Sequence, residues 1–229
     1  MIVGGLQKFS LIDYPGKTCA VVFTLGCNFR CPYCHNPELV IPDRYAQEIP
    51  LSYIFAFLEK RKGMLDAVCV TGGEPTLQND LVEVLAELKD LGYLIKLDTN
   101  GSKPGVLELL IEKKLIDYLA MDIKAPLEKY SEITGKPITP EKLKKSISLV
   151  ISSGIDHEFR TTAVKSLISK VDLEDIARTI KGADRYFLQG FVSGKICDES
   201  FLGEETYSEE ELREVASKIG IYVKDCYVR

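Results

Sequence analysis

The stretch CAVVFTLGCNFRCPYCHNP, residues 19–37, carries an apolar run, Cys19–Leu25, and then three cysteines inside eight positions. The run is short and rich in β-branched and aromatic residues, so it reads as a strand feeding a loop. On that loop Cys27, Cys31 and Cys34 form C-x3-C-x2-C. Three thiolates on one loop can wrap around a single soft metal centre. A structural zinc site is the plainer alternative, but it needs four protein ligands. No fourth cysteine lies nearby in the sequence, and His35 follows Cys34 so directly that both side chains would struggle to reach one ion. A four-iron cluster of the ordinary ferredoxin type also takes four cysteines. One built here would keep an iron without a protein ligand, an open position of the kind catalysis uses.

Outward from this loop, short β-rich runs alternate with amphipathic helical patterns, which predicts an α/β protein with a mostly parallel sheet. Strands are expected at Cys19–Leu25, Ala67–Thr71, Tyr93–Thr99, Tyr118–Ile123, His157–Ala163 and Arg185–Phe191. The stripe Leu81, Val84, Leu85, Leu88, Leu91 predicts a helix stopped by Gly92. Thr139 and Pro140 read as N-cap and N1 of a helix striped by Leu143, Ile147, Val150 and Ile151 and ended by Gly154. Ser208 with Glu211 is a capping-box pattern before Leu212, Val215 and Ile219, with the end at Gly220. Six strand–helix units fit either an open doubly wound sheet or a partial barrel, and both place ligands at the C-terminal ends of the strands. No linker or low-complexity stretch divides the chain, so a single domain over residues 1–229 is expected. Its core spans about 19–191 and residues 192–229 form a C-terminal extension. Ile221–Val228 reads as an extra extended segment without a place.

Composition narrows the class further. The 229 residues are 45% hydrophobic and 28% charged, with 17 glycines and 10 prolines, an ordinary globular profile. The net charge of −5 gives no whole-chain attraction to nucleic acid or anionic lipid. No apolar run approaches the roughly 18 residues that span a bilayer, and MIVGGLQKFSLIDYPGK lacks the basic start of a signal peptide. A cytoplasmic location is expected. Seven cysteines, an odd number with three of them clustered, argue for metal binding over a disulfide framework.

The predicted strand ends carry the remaining polar candidates. Gly72-Gly73-Glu74-Pro75 follows the second strand. Such a sequence makes tight turns, but here it lies at a strand's C-terminal end, about 40 residues after the cysteines. Its glycines let a backbone approach a ligand, and a carboxylate suits an ammonium group. The third strand ends in Asp98, Thr99 and Asn100. Alternation puts Lys96, Asp98 and Asn100 on one face, a pattern an exposed edge strand would also show. Tyr118, Ala120, Asp122 and Lys124 share a face of the fourth strand. Asp122 and Lys124 are either a solvated pair or a site for a carboxylate or ribose oxygens. Arg160 on the fifth strand and Gln189 on the sixth are candidates of the same kind, whereas His157 reads as structural or exposed.

C-x3-C-x-aromatic-C, with Tyr33 as the aromatic, resembles the signature of the radical S-adenosylmethionine (SAM) enzymes. The resemblance implies a partial (β/α)6 barrel of that type and one 4Fe–4S cluster held by Cys27, Cys31 and Cys34. It further implies that SAM closes the open site through its amino and carboxylate groups, so that no catalytic group is needed beyond the cluster and SAM. On the same resemblance Gly72, Gly73 and Glu74 match the segment contacting SAM's amino group. Asp122 and Lys124 match a SAM-contacting segment, and Arg160 becomes a candidate for SAM's carboxylate. Tyr33, Asp98, Thr99, Asn100 and Gln189 complete the candidate cofactor-binding set. KFSLIDYPGK together with GCNFRCPYCHNPEL is similar to the activating enzymes of glycyl radical enzymes, most of all those of anaerobic ribonucleoside-triphosphate reductase. That implies a glycyl radical on the large reductase subunit and an electron donor such as flavodoxin or ferredoxin. Asn36–Thr71 contains only Cys69, which leaves no room for the second, cysteine-rich cluster section that some activases insert there. The competing expectations are a radical SAM enzyme acting on a small molecule, like the 7-carboxy-7-deazaguanine synthases, and a zinc-stabilised binding module without catalysis.

Overall fold

The computed structural model describes all 229 residues, which fall into two compact units. The first comprises Met1–Asn28, Asn36–Thr99 and Gly105–Leu119; the second comprises Phe29–His35, Asn100–Pro104 and Ala120–Arg229. Eight strands lie in chain order in one sheet: β1 Val3–Ser10, β2 Cys19–Thr24, β3 Ala67–Gly72, β4 Leu94–Thr99, β5 Tyr118–Asp122, β6 Asp156–Ala163, β7 Arg185–Gly190 and β8 Asp225–Val228. Helices α1 Pro37–Val40, α2 Leu51–Glu59, α3 Leu81–Asp90 and α4 Pro104–Glu112 precede β5. Helices α5 Tyr130–Ile133, α6 Pro140–Ser152, α7 Lys170–Thr179 and α8 Glu209–Ile219 follow it. No helix is long and apolar enough to cross a membrane.

All six expected strands are present, and the sheet has two more. β1 pairs antiparallel with β2, Gln7 opposite Val21 and Ser10 opposite Cys19. The sequence signalled no strand there because Gly4 and Gly5 are turn formers. In the fold the Gly4 position is crowded: a Cβ would meet Leu25 Cδ2 at 2.4 Å. β8 takes the previously unplaced tail and pairs parallel with β7, Tyr186 opposite Cys226 and Leu188 opposite Val228.

In the first unit, alternation along the strands builds two buried faces. Cys19 and Val21 of β2, Ala67 and Cys69 of β3, and Tyr118 pack together with Tyr14 on one of them. Ala20, Val22, Val68, Val70, Ile95 and Leu97 are buried on the other, and α3 buries Leu81, Val84, Leu85 and Leu88. Gly92, with φ +90°, follows α3 as expected. In the second unit α6 starts after Thr139, whose backbone is extended but whose hydroxyl makes no capping bond, and Gly154 stands beyond its end at φ +71°. The Ser208–Glu211 capping box of α8 is fully formed, and α7 has a second one in Ser169 and Asp172.

Candidate cluster and cofactor site

In the first unit the GGE segment is stitched to the start of the cysteine loop. The Gly73 N–H donates to the Thr24 carbonyl (2.9 Å) and the Glu74 N–H to the Gly26 carbonyl (2.8 Å), one residue before Cys27. This explains the two glycines. Gly72 sits at φ +112°, where a Cβ would lie 2.5 Å from the Thr24 nitrogen, and a Cβ on Gly73 would lie 2.1 Å from the Gly26 oxygen. Both are required by a neighbouring strand and loop, a tighter constraint than the freedom to approach a ligand that the sequence suggested.

Glu74 is buried, and its Oε1 accepts from the Thr76 N–H (3.1 Å) and from the hydroxyls of Thr76 (2.5 Å) and Thr99 (2.7 Å). The structure therefore brings Thr99 to Glu74. Asp98 belongs to a different group. Its Oδ1 accepts from Lys96 Nζ at 2.5 Å and its Oδ2 from the Thr71 hydroxyl at 3.2 Å. The Lys96 ammonium also lies 5.8 Å from the Tyr118 ring centre, and its side chain is only 3% exposed. The edge-strand alternative for this face fails, since β4 lies between β3 and β5 and Lys96 is dry. Burial pushes the neighbouring thiols up, Cys19 to about 11 and Cys69 well above its ordinary value, so both stay protonated, and the Cys69 thiol donates to Asp98 Oδ1 at 3.9 Å.

The second unit holds Cys31 and Cys34. Their loop is anchored by the Arg30 N–H to the Thr134 carbonyl (2.7 Å) and by Phe29 edge-on to Tyr130, ring centres 6.0 Å apart. Asp122 is the hub of the polar group there. Its Oδ2 accepts from Lys124 Nζ and its Oδ1 from Arg160 Nε, both at 2.8 Å. Burial alone would raise its pKa, but Arg160 and Lys124 together hold the carboxyl well below the usual carboxylate range. Burial likewise opposes the charge on Lys124, and Asp122 more than compensates, so Lys124 stays an ammonium. Tyr130 clamps the strand end: its hydroxyl donates to the Asp122 carbonyl (3.2 Å) and accepts from the Lys124 N–H (3.1 Å). Arg160 also faces the buried Glu158 at 3.8 Å, and Arg229 reaches the same Glu158 oxygen at 3.7 Å. The solvated-pair alternative for Asp122 and Lys124 is replaced by a half-buried network.

Tyr33 is buried, and its hydroxyl has no hydrogen-bond partner. Burial raises its pKa well above normal, with Cys31, Lys124 and Asp122 as electrostatic neighbours. Burial also pushes the Cys31 thiol up to about 11, so a metal centre would have to displace its proton. A soft thiol set beside an orphaned hydroxyl and an ammonium fits an iron–sulfur centre with a polar cofactor. None of the cysteines is in a disulfide, and no group of three or more Cys, His, Asp or Glu is gathered tightly enough to hold a single metal ion. Asn100 is buried and its Oδ1 accepts from the Ser102 N–H (3.0 Å), and Gln189 is half-buried opposite Thr162 on β6. His157 is structural: its Nε2 accepts from the Asp184 N–H (3.1 Å) and its Nδ1 faces the Ile155 carbonyl (2.9 Å).

Sequence reasoning missed Tyr130, Glu158 and Thr76, which orient Lys124, Arg160 and Glu74. It also missed Cys197, whose N–H donates to the Cys34 carbonyl at 2.9 Å. Nothing in the spacing of Cys197 linked it to a loop more than 160 residues earlier.

Comparison with known proteins gives the chain its family. The sequence profile of the radical SAM superfamily matches residues 21–183, and the chain belongs to that superfamily. The structure of SuiB from Streptococcus suis, a protein solved bound to S-adenosylmethionine, shares the fold with a TM-score of 0.68 at 17% identity. The match covers 91% of this chain and 51% of SuiB. A protein of Methanocaldococcus jannaschii named as a glycyl-radical enzyme activating enzyme is 37% identical over 100% of this chain and 95% of its own length. The pyruvate formate-lyase-activating enzyme of Staphylococcus aureus is 34% identical over 58% of this chain and 57% of its own. Within the superfamily, this chain is a member of the glycyl-radical-enzyme activating enzymes.

Proposed function

We propose that this enzyme generates a glycyl radical on the large subunit of an anaerobic ribonucleoside-triphosphate reductase. The likeness to an activating enzyme over the whole chain carries the activase reading. KFSLIDYPGK with the cysteine segment favours the reductase as partner, and the absence of a second cysteine-rich section favours the single-cluster branch, to which the reductase and pyruvate formate-lyase activases both belong. In this reading residues 1–229 act as one cytoplasmic radical SAM domain that takes its electron from flavodoxin or ferredoxin.

Cys27, Cys31 and Cys34 would hold a 4Fe–4S cluster, whose reduced form with SAM supplies a 5′-deoxyadenosyl radical. The chain's own residues bind and orient. Glu74, held by Thr76 and Thr99 on one oxygen, is suited to SAM's ammonium group. Lys124 and Arg160, fixed by Asp122, supply cations for its carboxylate and ribose. The buried Tyr33 hydroxyl offers a further polar contact, and Gly72, Gly73, Asp98, Asn100 and Gln189 shape the surroundings. A partner's glycine is a sensible target because flanking amides stabilise its radical and no side chain obstructs it.

The test mixes enzyme, SAM, a strong reductant and the large reductase subunit without oxygen. A doublet in the electron paramagnetic resonance spectrum, collapsing on deuteration of the glycine, is the expected result. Brief exposure to air should then cut the partner at that residue. Pyruvate formate-lyase in a parallel tube checks the competing partner. Turnover of a deazaguanine precursor with no radical on either protein would overturn the proposal, as would a colourless protein holding one tight zinc.

A further inference from the structure

We propose that Arg229 is a positioning residue for SAM binding: by sharing the charge of buried Glu158, it leaves Arg160 a cation to offer to SAM's carboxylate. The inference rests on the reading of Arg160 given above and concerns the second unit's own residues. Five side chains form an alternating chain of ion pairs, Lys124–Asp122–Arg160–Glu158–Arg229. Lys124 and Arg160 each lie 2.8 Å from Asp122, and Arg160 and Arg229 approach the same Glu158 oxygen at 3.8 and 3.7 Å. Three cations face two carboxylates, so the chain carries one positive charge in excess, the complement of one ligand carboxylate. Without Arg229 the chain is neutral. Arg185, beside Glu158 in register on β7, is ion-paired to Asp156 at 3.6 Å.

Local structure fixes where the Arg229 side chain goes. Its N–H donates to the Leu188 carbonyl (2.9 Å) and its carbonyl accepts from the Gly190 N–H (3.1 Å), continuing the β7–β8 ladder. Its guanidinium lies 3.6 Å from the Phe187 ring centre, and Tyr227 stacks on the same ring with centres 5.1 Å apart. Phe187 is the in-register neighbour of Arg160, and such neighbours on parallel strands share a face. The ring thus seats a second guanidinium on the face that carries Glu158 and Arg160. Glu158 is 1% exposed, and a carboxylate so buried requires compensating charge. Arg160 already gives its Nε to Asp122. Without Arg229, a larger share of the Glu158 charge falls on Arg160 and draws its guanidinium away from the ligand.

The test uses the full chain, reconstituted anaerobically with iron and sulfide, as wild type, Arg229→Gln, Arg229→Lys, Arg160→Ala and the double variant Arg229→Gln with Glu158→Gln. Each is titrated calorimetrically with SAM and with decarboxylated SAM, which lacks the carboxylate. Arg229→Gln should bind SAM on the order of tenfold more weakly than wild type, with iron content and circular dichroism unchanged. Decarboxylated SAM should not distinguish the two. Removing the Glu158 charge in the same chain should restore SAM affinity to within about twofold of wild type, and Arg229→Lys, which keeps the charge, should stay close to wild type. Unchanged SAM affinity in Arg229→Gln overturns the proposal. So does a loss that decarboxylated SAM shares, that Glu158→Gln fails to repair or that Arg229→Lys shows in full, because Arg229 would then serve only the fold. If Arg229→Gln does not fold, Arg229→Lys still decides, since its normal binding is required. Normal SAM affinity in Arg160→Ala is a separate failure, which removes the reading of Arg160 and this proposal with it.

Discussion

Asp122 gathers two cations that the sequence could place only on strand faces. Period-2 alternation put Asp122 and Lys124 together because both the strand and its direction were legible from Tyr118 onward. The partnership with Arg160 was not legible, because it depends on which strands are neighbours. Lys96 shows the limit of the same rule: alternation assigns a face, but not whether that face is wet, and this lysine is buried against Asp98. Replacing Asp122 with Asn leaves Lys124 and Arg160 without their shared carboxylate in a half-buried setting. A loss of about 1–3 kcal/mol is expected, read as a lower urea midpoint with an unchanged slope. Lys124→Ala and Arg160→Ala should each weaken SAM binding on the order of tenfold, the equivalent of one lost charged contact, with iron content unchanged. Normal SAM affinity in both variants would show that the cations serve only Asp122.

The helices announced themselves through stripes and caps, and the short strands through apolar runs. β1 did not, because its glycines are chosen for close approach to a side chain of the next strand's end, a requirement invisible before that neighbour is known. The glycines make opposite predictions where their surroundings differ. Gly73→Ala would press a methyl into the Gly26 carbonyl, which as backbone cannot rotate away, and should cost about 2–3 kcal/mol. Gly105→Ala, in the first turn of α4 with nothing within 4 Å of the new methyl, should stabilise by about 0.4–1 kcal/mol. Thermal melts of the two variants against wild type should move in opposite directions. Ser208→Ala removes half of the capping box of α8 and should cost about 1 kcal/mol.

At the scale of the whole molecule, several carboxylates have lowered pKa values, and three of them, Asp122, Asp172 and Asp184, make the fold sensitive to acid. In Asp122 and Asp172 burial opposes the shift and is overcome, by Arg160 and Lys124 in one case and by Lys129 and Ser169 in the other. Asp184 is lowered chiefly by its bond from Lys224. Each folded value lies below the unfolded one of about 4. The stability they contribute is therefore complete above pH 4 and drains as the pH falls through the folded values. Urea midpoints should hold from pH 7 to about 5 and fall steeply towards pH 3; a flat profile would refute the assignment. The stitch between GGE and the cysteine loop has a consequence for heredity as much as for folding. Gly73 and Glu74 hold the backbone of Thr24 and Gly26, so two stretches nearly fifty residues apart in the gene meet as one joint. A chimera that borrows a relative's cysteine loop without its matching glycine pair mismatches the halves of that joint, and recombination should tolerate breakpoints after α3, which leave both motifs with one parent, far better than breakpoints between α1 and β3, which separate them.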